Sequence, residues 1–237
     1  GETTGDDRFV FEDKDGVRPI DLGMKDMFGS SPVTVMTDVT APHHFADVQY
    51  STENLNDYVE TVLQLEGVAC KDWLTNKVDR SITGKIARQQ CQGEIQLPLS
   101  DCGVVALDFT GTKGIATSIG HAPQAALISP EAGSVLSIAE ALTNIVGANL
   151  KDQLKSVSLS ANWMWPCRNT GEDAALYSAV KACSDFACAL GINIPTGKDS
   201  LSMTQKYGDK KVLAPGTVII SAAGEVADVK KTVSPVM

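Results

Sequence analysis

The chain has 237 residues, 20 basic and 29 acidic side chains, a net charge of −9 and a pI of about 4.8. That acidity excludes a general nucleic-acid binder, whose footprint is a basic patch. An apolar share of 43% and a mean hydropathy of −0.02 fit a globular chain of one or two domains with a sizeable core.

No apolar run reaches membrane-spanning length, and no signal-peptide pattern is visible. The polar start, GETTGDDRF, without an initial Met, reads as a chain excised from something longer or processed. The six cysteines form no CxxC pair and stand near no histidine at zinc spacing. They read as reduced packing residues of a cytoplasmic protein. His43, His44 and His121 are not clustered, and no Ser–His–Asp or Cys–His signature is present.

Residues 1 to about 30 contain RFVFED, strand-like, then a turn around Asp13–Gly16 and a short helix ending at Gly29. This is too little to close a core alone and looks like the tail of a preceding domain. VTVMTDVT, from Val33, alternates and predicts a strand. His43 and His44 follow in a polar loop with no third ligand at metal spacing.

Ser51 to Val68 predicts an amphipathic helix with Leu55, Tyr58, Val59, Val62 and Leu63 as its stripe. The next run, ACKDWLTNKVDRSITG, suits either an anion-holding loop, through Lys71, Lys77, Arg80 and amides near Gly84, or a solvated connector. GVVALDF and GIATSIG predict two strands joined by a turn at Gly111 to Gly114.

SPEAGSVLSIAEALTNIVGANL, from Ser129, predicts a helix. Ser129 is a cap, Pro130 suits the first position, and Glu131 complements the dipole. Val135, Ile138, Ala139, Leu142, Ile145 and Val146 are expected to face a core. Glu140 and Asn144, four apart, point the same way from neighbouring turns. A carboxylate and an amide oxygen so placed can share a hard cation such as Mg²⁺, or be ordinary surface residues.

VSLSANWMW predicts a strand, and Gly171 to Leu190 a helix stopped by Gly191, with Leu176, Val180, Cys183, Ala187 and Leu190 inside. INIPTGKDSLSM predicts a strand, a turn and a polar loop, and APGTVIISAAGEV a last strand. Gly197-Lys198-Asp199-Ser200 is not a P-loop, because Asp199 separates Lys198 from Ser200. Such a loop can still meet a phosphate, or be a surface turn. The expected fold class is α+β: a four-stranded mixed sheet with helices on one face and the other face open to a second copy or a sister domain.

Six ordered blocks, LTNKVDRSITG, PLSDCGVVAL, AEALTN, SANWMW, GKDSLSM and LAPGTVIISA, resemble the large, multidomain, glutamine-using phosphoribosylformylglycinamidine synthase family. The resemblance implies a fold like the N-terminal domain of aminoimidazole ribonucleotide synthetase, whose sheets pair into a barrel on dimerisation. It implies that residues 1–50 are the tail of a preceding repeat and linker, 51–67 a linker helix, and 68–237 a nucleotide-binding domain. The family uses ATP and glutamine-derived ammonia to convert formylglycinamide ribonucleotide into the amidine of purine biosynthesis. The cofactors so implied are Mg²⁺ and ATP or ADP, and the partners are the rest of the parent enzyme, its glutaminase domain included, or a second copy.

By this resemblance Asp101, Glu140 and Asn144 are metal ligands, while Lys71, Gly197, Lys198, Asp199 and Ser200 bind nucleotide. Two departures stand out. Gly120-His121-Ala122-Pro123 replaces a stretch that supplies a further metal carboxylate in single-repeat relatives, and Ala69–Asp72 lacks the catalytic histidine of the first repeat. The set therefore resembles the auxiliary site that holds a structural ADP with Mg²⁺. A non-catalytic nucleotide-binding and assembly module stays open as an alternative, as does a selenophosphate-synthetase or hydrogenase-maturation relative.

Overall fold

Alternation of buried and exposed residues along the central strands sets the architecture. The computed structural model describes residues 1–41, 44–65, 67–70, 80, 82–92, 94, 96–98 and 100–234. The Cα framework divides into two units, Gly1–Met36 and Thr37–Met237.

In the first unit, β1 (Arg8–Phe11) pairs antiparallel with β2 (Ile20–Gly23), and α1 (Met24–Phe28) follows directly. The Arg8 guanidinium is bonded to Asp21, and Arg18 Nε donates to Glu12 at 2.8 Å. No residue of α1 is buried. The expected turn at Asp13–Gly16 is present, with Gly16 N–H donating to Asp13 O at 3.1 Å.

VTVMTDVT (33–40), expected as a strand, spans the boundary between the units, carries no regular structure and pairs with no strand among the described residues. Alternation alone does not make a strand when no neighbour offers a ladder. The amphipathic helix is shorter than its pattern: a 3₁₀ turn at Thr52–Asn54 leads into α2 (Leu55–Gln64). Ser51 Oγ accepts from Glu53 N–H at 3.3 Å, and the Tyr58 hydroxyl accepts from Ser51 N–H at 3.1 Å. The stripe Leu55, Tyr58, Val59, Val62 and Leu63 is exposed along its length.

A six-stranded sheet forms the body of the unit, from β3 (Ile86–Arg88), β6 (Cys102–Ala106), β7 (Gly114–His121), β8 (Val157–Met164), β9 (Asn193–Ser200) and β12 (Thr217–Val226). Their spatial order is β3-β6-β7-β12-β8-β9. The minor pairs are β4 (Cys91–Gln92) with β5 (Leu97–Pro98), and β10 (Thr204–Tyr207) with β11 (Lys210–Leu213). All neighbours in the main sheet are antiparallel except β8 and β9, which run parallel.

Four strands were expected and six are found in the sheet among the described residues. β3 is only three residues long, too short to show a period. β9 contains Gly197-Lys198-Asp199-Ser200, read from sequence as a turn and loop; here it is strand throughout, registered against Ala161 to Met164. Glycine and charge do not break an edge strand, because one face and one side meet water.

Three helices cover one face or its end: α3 (Pro123–Ile128), α4 (Pro130–Ile145) and α5 (Glu172–Leu190). The short α3 carries too few residues to show a period. Ser129 caps α4 as its sequence predicts, accepting from Ala132 N–H at 3.1 Å. Gly191 ends α5 in the left-handed conformation, φ 69°, which costs glycine nothing.

The core joins Ile138, Ala141, Leu142 and Ile145 of α4 to Val104, Ala116, Leu159, Val218, Ile220 and Val226 of the sheet, with Cys183 and Ala187 of α5. Val146, expected inside, is exposed just past the helix end, and Val180 and Leu190 are also exposed. The opposite face of the sheet carries Ile115 and Ile119, both exposed. Among the described residues no helix is long and apolar enough to cross a membrane.

Candidate functional site

The site is built where the end of β7 meets α4. Along β7 the burial pattern alternates strictly, so Ser118 and Gly120 face the helix. A Cβ on Gly120 would lie 2.2 Å from Ser137 O and 2.4 Å from Ala141 N, so only glycine lets the helix backbone come this close. Ser118 Oγ donates to Ala141 O at 2.6 Å. Glu140 Oε2 accepts from His121 N–H at 2.7 Å, and Asn144 Nδ2 donates to Ile119 O at 2.9 Å. These three bonds lock the axial position of α4 against the strand. They leave Glu140 Oε1 and Asn144 Oδ1 as the oxygens for any further partner.

Asp101 precedes β6, next to β7 in the sheet, and is exposed. Asp101, Glu140 and Asn144 all line one cavity of about 770 Å³. Arg80, Arg88 and Ser100 line it as well. The two arginines are held by neutral acceptors. Arg80 Nε donates to Gln89 Oε1 at 3.0 Å and its Nη2 to Gln96 Oε1, while Arg88 Nε donates to Ser100 Oγ at 2.6 Å. Burial pushes the Cys102 thiol up from its ordinary value, with the Arg88 charge pulling the other way. The cavity therefore combines two carboxylates and an amide oxygen with two guanidiniums. Such a set suits a ligand with anionic groups and a cation together.

His121, read as a loop or packing residue, is exposed and contributes its backbone N–H. Lys71 and Lys77 lie outside the described residues, as does His43. Arg88 and Ser100 were not singled out from sequence, and no local pattern marks them. Arg88 joins the cavity through strand pairing, which only the fold supplies.

Gly197, Lys198, Asp199 and Ser200 are not part of this cavity. They lie on β9 at the far edge of the sheet, with β7, β12 and β8 between. Gly197, Lys198 and Asp199 line a separate cavity of about 370 Å³ with Ala161 and Trp163. Lys198 Nζ donates to Ser200 Oγ, two residues along the same side of the strand. A Cβ on Gly197 would lie 2.3 Å from Ala161 O. The structure thus brings together the three residues read as metal ligands and separates them from Gly197, Lys198, Asp199 and Ser200, four of the five read as nucleotide ligands. Among the described residues no three of His, Cys, Asp and Glu are grouped as a metal site of their own.

A family model described as the FGAR-AT PurM_N-like domain matches residues 70–225. Human phosphoribosylformylglycinamidine synthase is 45% identical over 182 residues, which are 77% of this chain and 14% of that protein. The chain therefore spans a small part of that relative. Among solved structures, T. maritima PurL complexed with ATP superposes with a TM-score of 0.57 at 13% identity, over 97% of this chain and 33% of that one. PurLQS from Thermotoga maritima gives 0.56 at 13% identity, over 93% and 32%. At these identities the structures speak for the fold alone. The matched stretch takes in β3, β6, β7, α4, β8, α5 and nearly all of β12, and on that ground the chain belongs to the FGAR-AT PurM_N-like domain family.

Proposed function

We propose that this chain is an internal segment of a phosphoribosylformylglycinamidine synthase. Its parent would be an ATP-dependent carbon–nitrogen ligase of purine biosynthesis, acting in the cytoplasm. In this reading residues 1–50 are the tail of a preceding repeat and linker, 51–67 a linker helix and 68–237 the nucleotide-site domain. The parent converts formylglycinamide ribonucleotide to the amidine with ammonia from a glutaminase domain, and the segment alone is inactive.

One observation carries the reading: Asp101, Glu140 and Asn144 line a single cavity whose rim holds Arg80 and Arg88. The donor set fits Mg²⁺, which takes one or two carboxylates and leaves its other positions to water and phosphate. When bound, the ion would neutralise phosphate charge. The chain's own residues would do the rest. Asp101, Glu140 Oε1 and Asn144 Oδ1 would hold the ion, and the Arg80 guanidinium would face phosphate oxygens. Glu140 and Asn144 would arrive pre-oriented, because each is already bonded to the β7 backbone. The departures at Ala69–Asp72 and at Gly120-His121-Ala122-Pro123 support an auxiliary, ADP-holding role over the chemical step.

The exposed Ile115 and Ile119 on the open sheet face support a second element of the proposal: pairing with a sister domain, or with a second copy, into a barrel. Gly197 to Ser200 would then belong to the nucleotide or substrate cleft of the paired assembly. Sedimentation of the chain over a concentration series tests the homodimer.

Calorimetric titration with Mg²⁺–ADP tests the site. Wild-type binding that is lost in Glu140→Gln supports the reading. Glutamine keeps an acceptor for His121 N–H, so the loss then reports the charge and not the fold. No wild-type binding by the intact fold would mean that the cavity alone is not the site.

A further inference from the structure

We infer that Arg88 is a positioning residue for this site, bracing the loop that delivers Asp101 against the helix end that delivers Asn144. The inference rests on the reading that the cavity is functional.

The pairing of β3 with β6 supplies the first ground. Ile86 is registered with Val105, but Arg88 is registered with Val104, where a regular antiparallel ladder would place it opposite Gly103. The slip is a β-bulge. Residues two apart on a strand share a face, and a bulge breaks that rule and re-aims the following side chain. Val104 is fully buried on the helix side. Arg88 is thereby turned inward, toward the end of α4.

Its contacts supply the second. Arg88 Nε donates to Ser100 Oγ at 2.6 Å, and Ser100 Oγ in turn donates to Cys102 O at 3.3 Å. Ser100 N–H donates to Gln90 O at 3.2 Å. Asp101 sits inside this knot, between Ser100 and Cys102. On its other side the guanidinium meets Gly147, just beyond α4, where a Cβ would lie 3.1 Å from Arg88 Nη1. A cation there faces the negative end of the helix dipole. Nη1 is buried and has no hydrogen-bond partner among the described residues, so it has room for a bridging water. A lysine could not reproduce this, because one ammonium lacks the planar fork that reaches two directions at once.

The experiment uses the full chain as wild type, Arg88→Met and Arg88→Lys. Methionine keeps the packed stem and removes the fork. Hydrogen exchange at residues 100–103 and 145–149 is read first, because it needs no ligand. The brace predicts faster exchange in both segments of Arg88→Met, with the rest of the sheet unchanged, and partial recovery in Arg88→Lys. Titration with ADP is then run with Mg²⁺ and with EDTA. The brace predicts that Mg²⁺-dependent binding weakens by about tenfold in Arg88→Met, in the range seen when a ligand's supporting residue is lost, while binding in EDTA holds. Unchanged exchange in both segments, or a uniform rise across the fold, overturns the inference. If Arg88→Met does not fold, Ser100→Ala is read in its place, with faster exchange expected at 100–103 alone. Absence of ADP binding by wild type counts against the nucleotide reading, while the exchange data still judge the brace.

Discussion

The two edges of the main sheet carry the two residue sets singled out by sequence, and they are built differently. Near the β3–β6 edge, α4 lies on the neighbouring strand, and three side-chain bonds from Ser118, Glu140 and Asn144 fix the helix to β7. At the other edge β9 has one neighbour, runs parallel to it, and exposes Gly197, Lys198 and Asp199. The first region is a preformed cavity. The second is an edge that gains meaning from whatever covers it. A polar residue at a packed strand–helix junction is held in place before any ligand arrives; the same residue on an open edge is not.

Matched glycine substitutions break this comparison most sharply. Both glycines admit a close backbone contact: a Cβ on Gly120 would lie 2.2 Å from Ser137 O, and one on Gly197 2.3 Å from Ala161 O. Gly120→Ala must push a packed helix off the central sheet, at the upper end of the roughly 1–3 kcal/mol that overpacking costs. Gly197→Ala can be relieved by peeling an edge strand. Urea denaturation should show the larger loss for Gly120→Ala. Hydrogen exchange in Gly197→Ala should rise in β9 only. Equal losses would mean that the edge is as firmly held as the centre.

Ser118→Ala removes the bond to Ala141 O without changing volume much. The expected cost is about 1 kcal/mol, measurable as a lower urea midpoint. A cost near zero would leave Gly120 and Glu140 as the groups that set the helix position.

The thiols report on the interior independently. Burial pushes Cys167 up to about 12, with the Asp173 carboxylate adding to it, and pushes Cys183 to about 11. Both lie above the ordinary thiol value of 9.0. The folded chain therefore keeps protons that the unfolded chain gives up. The stability these thiols contribute is complete below pH 9 and is lost as pH climbs through 11 to 12. Denaturation midpoints at pH 8 and pH 10.5 should differ in that direction. At neutral pH a thiol reagent should react quickly with exposed Cys70 and Cys188 and slowly with the four buried cysteines.

The smallest expected effect concerns the start of α5. Its N-cap, Gly171, has no side chain to offer, and Asp38 supplies the acceptor from far away in sequence. Its carboxylate accepts from Asp173 N–H at 3.1 Å and Ala174 N–H at 3.5 Å. The Gly171 N–H, first among the backbone donors, holds the Asp38 carboxyl below the usual carboxylate range. Asp38→Asn should leave the sheet unaffected and speed exchange at Gly171, Asp173 and Ala174.

The sequence by itself determined the elements whose signals are local. The Ser129–Pro130 cap and the buried period of Ile138, Leu142 and Ile145 fixed α4. Gly191 fixed the end of α5, and apolar runs bounded by turn residues marked β7 and β12 as strands. Each of these is decided by neighbours within a turn or two of chain. The spacing of Glu140 and Asn144 likewise placed both on one face.

The tertiary structure alone decided the rest. β9 is a strand because β8 offers it a ladder, and VTVMTDVT is not one because none of the described residues does. Arg88 turns to the helix side because the pairing slips by one residue opposite Val104. Asp101 meets Glu140 and Asn144, and parts from Gly197 to Ser200, through strand order. Hydrogen-bond partners across a sheet lie tens of residues apart, so the pairing energy that selects them leaves no periodic trace in the chain.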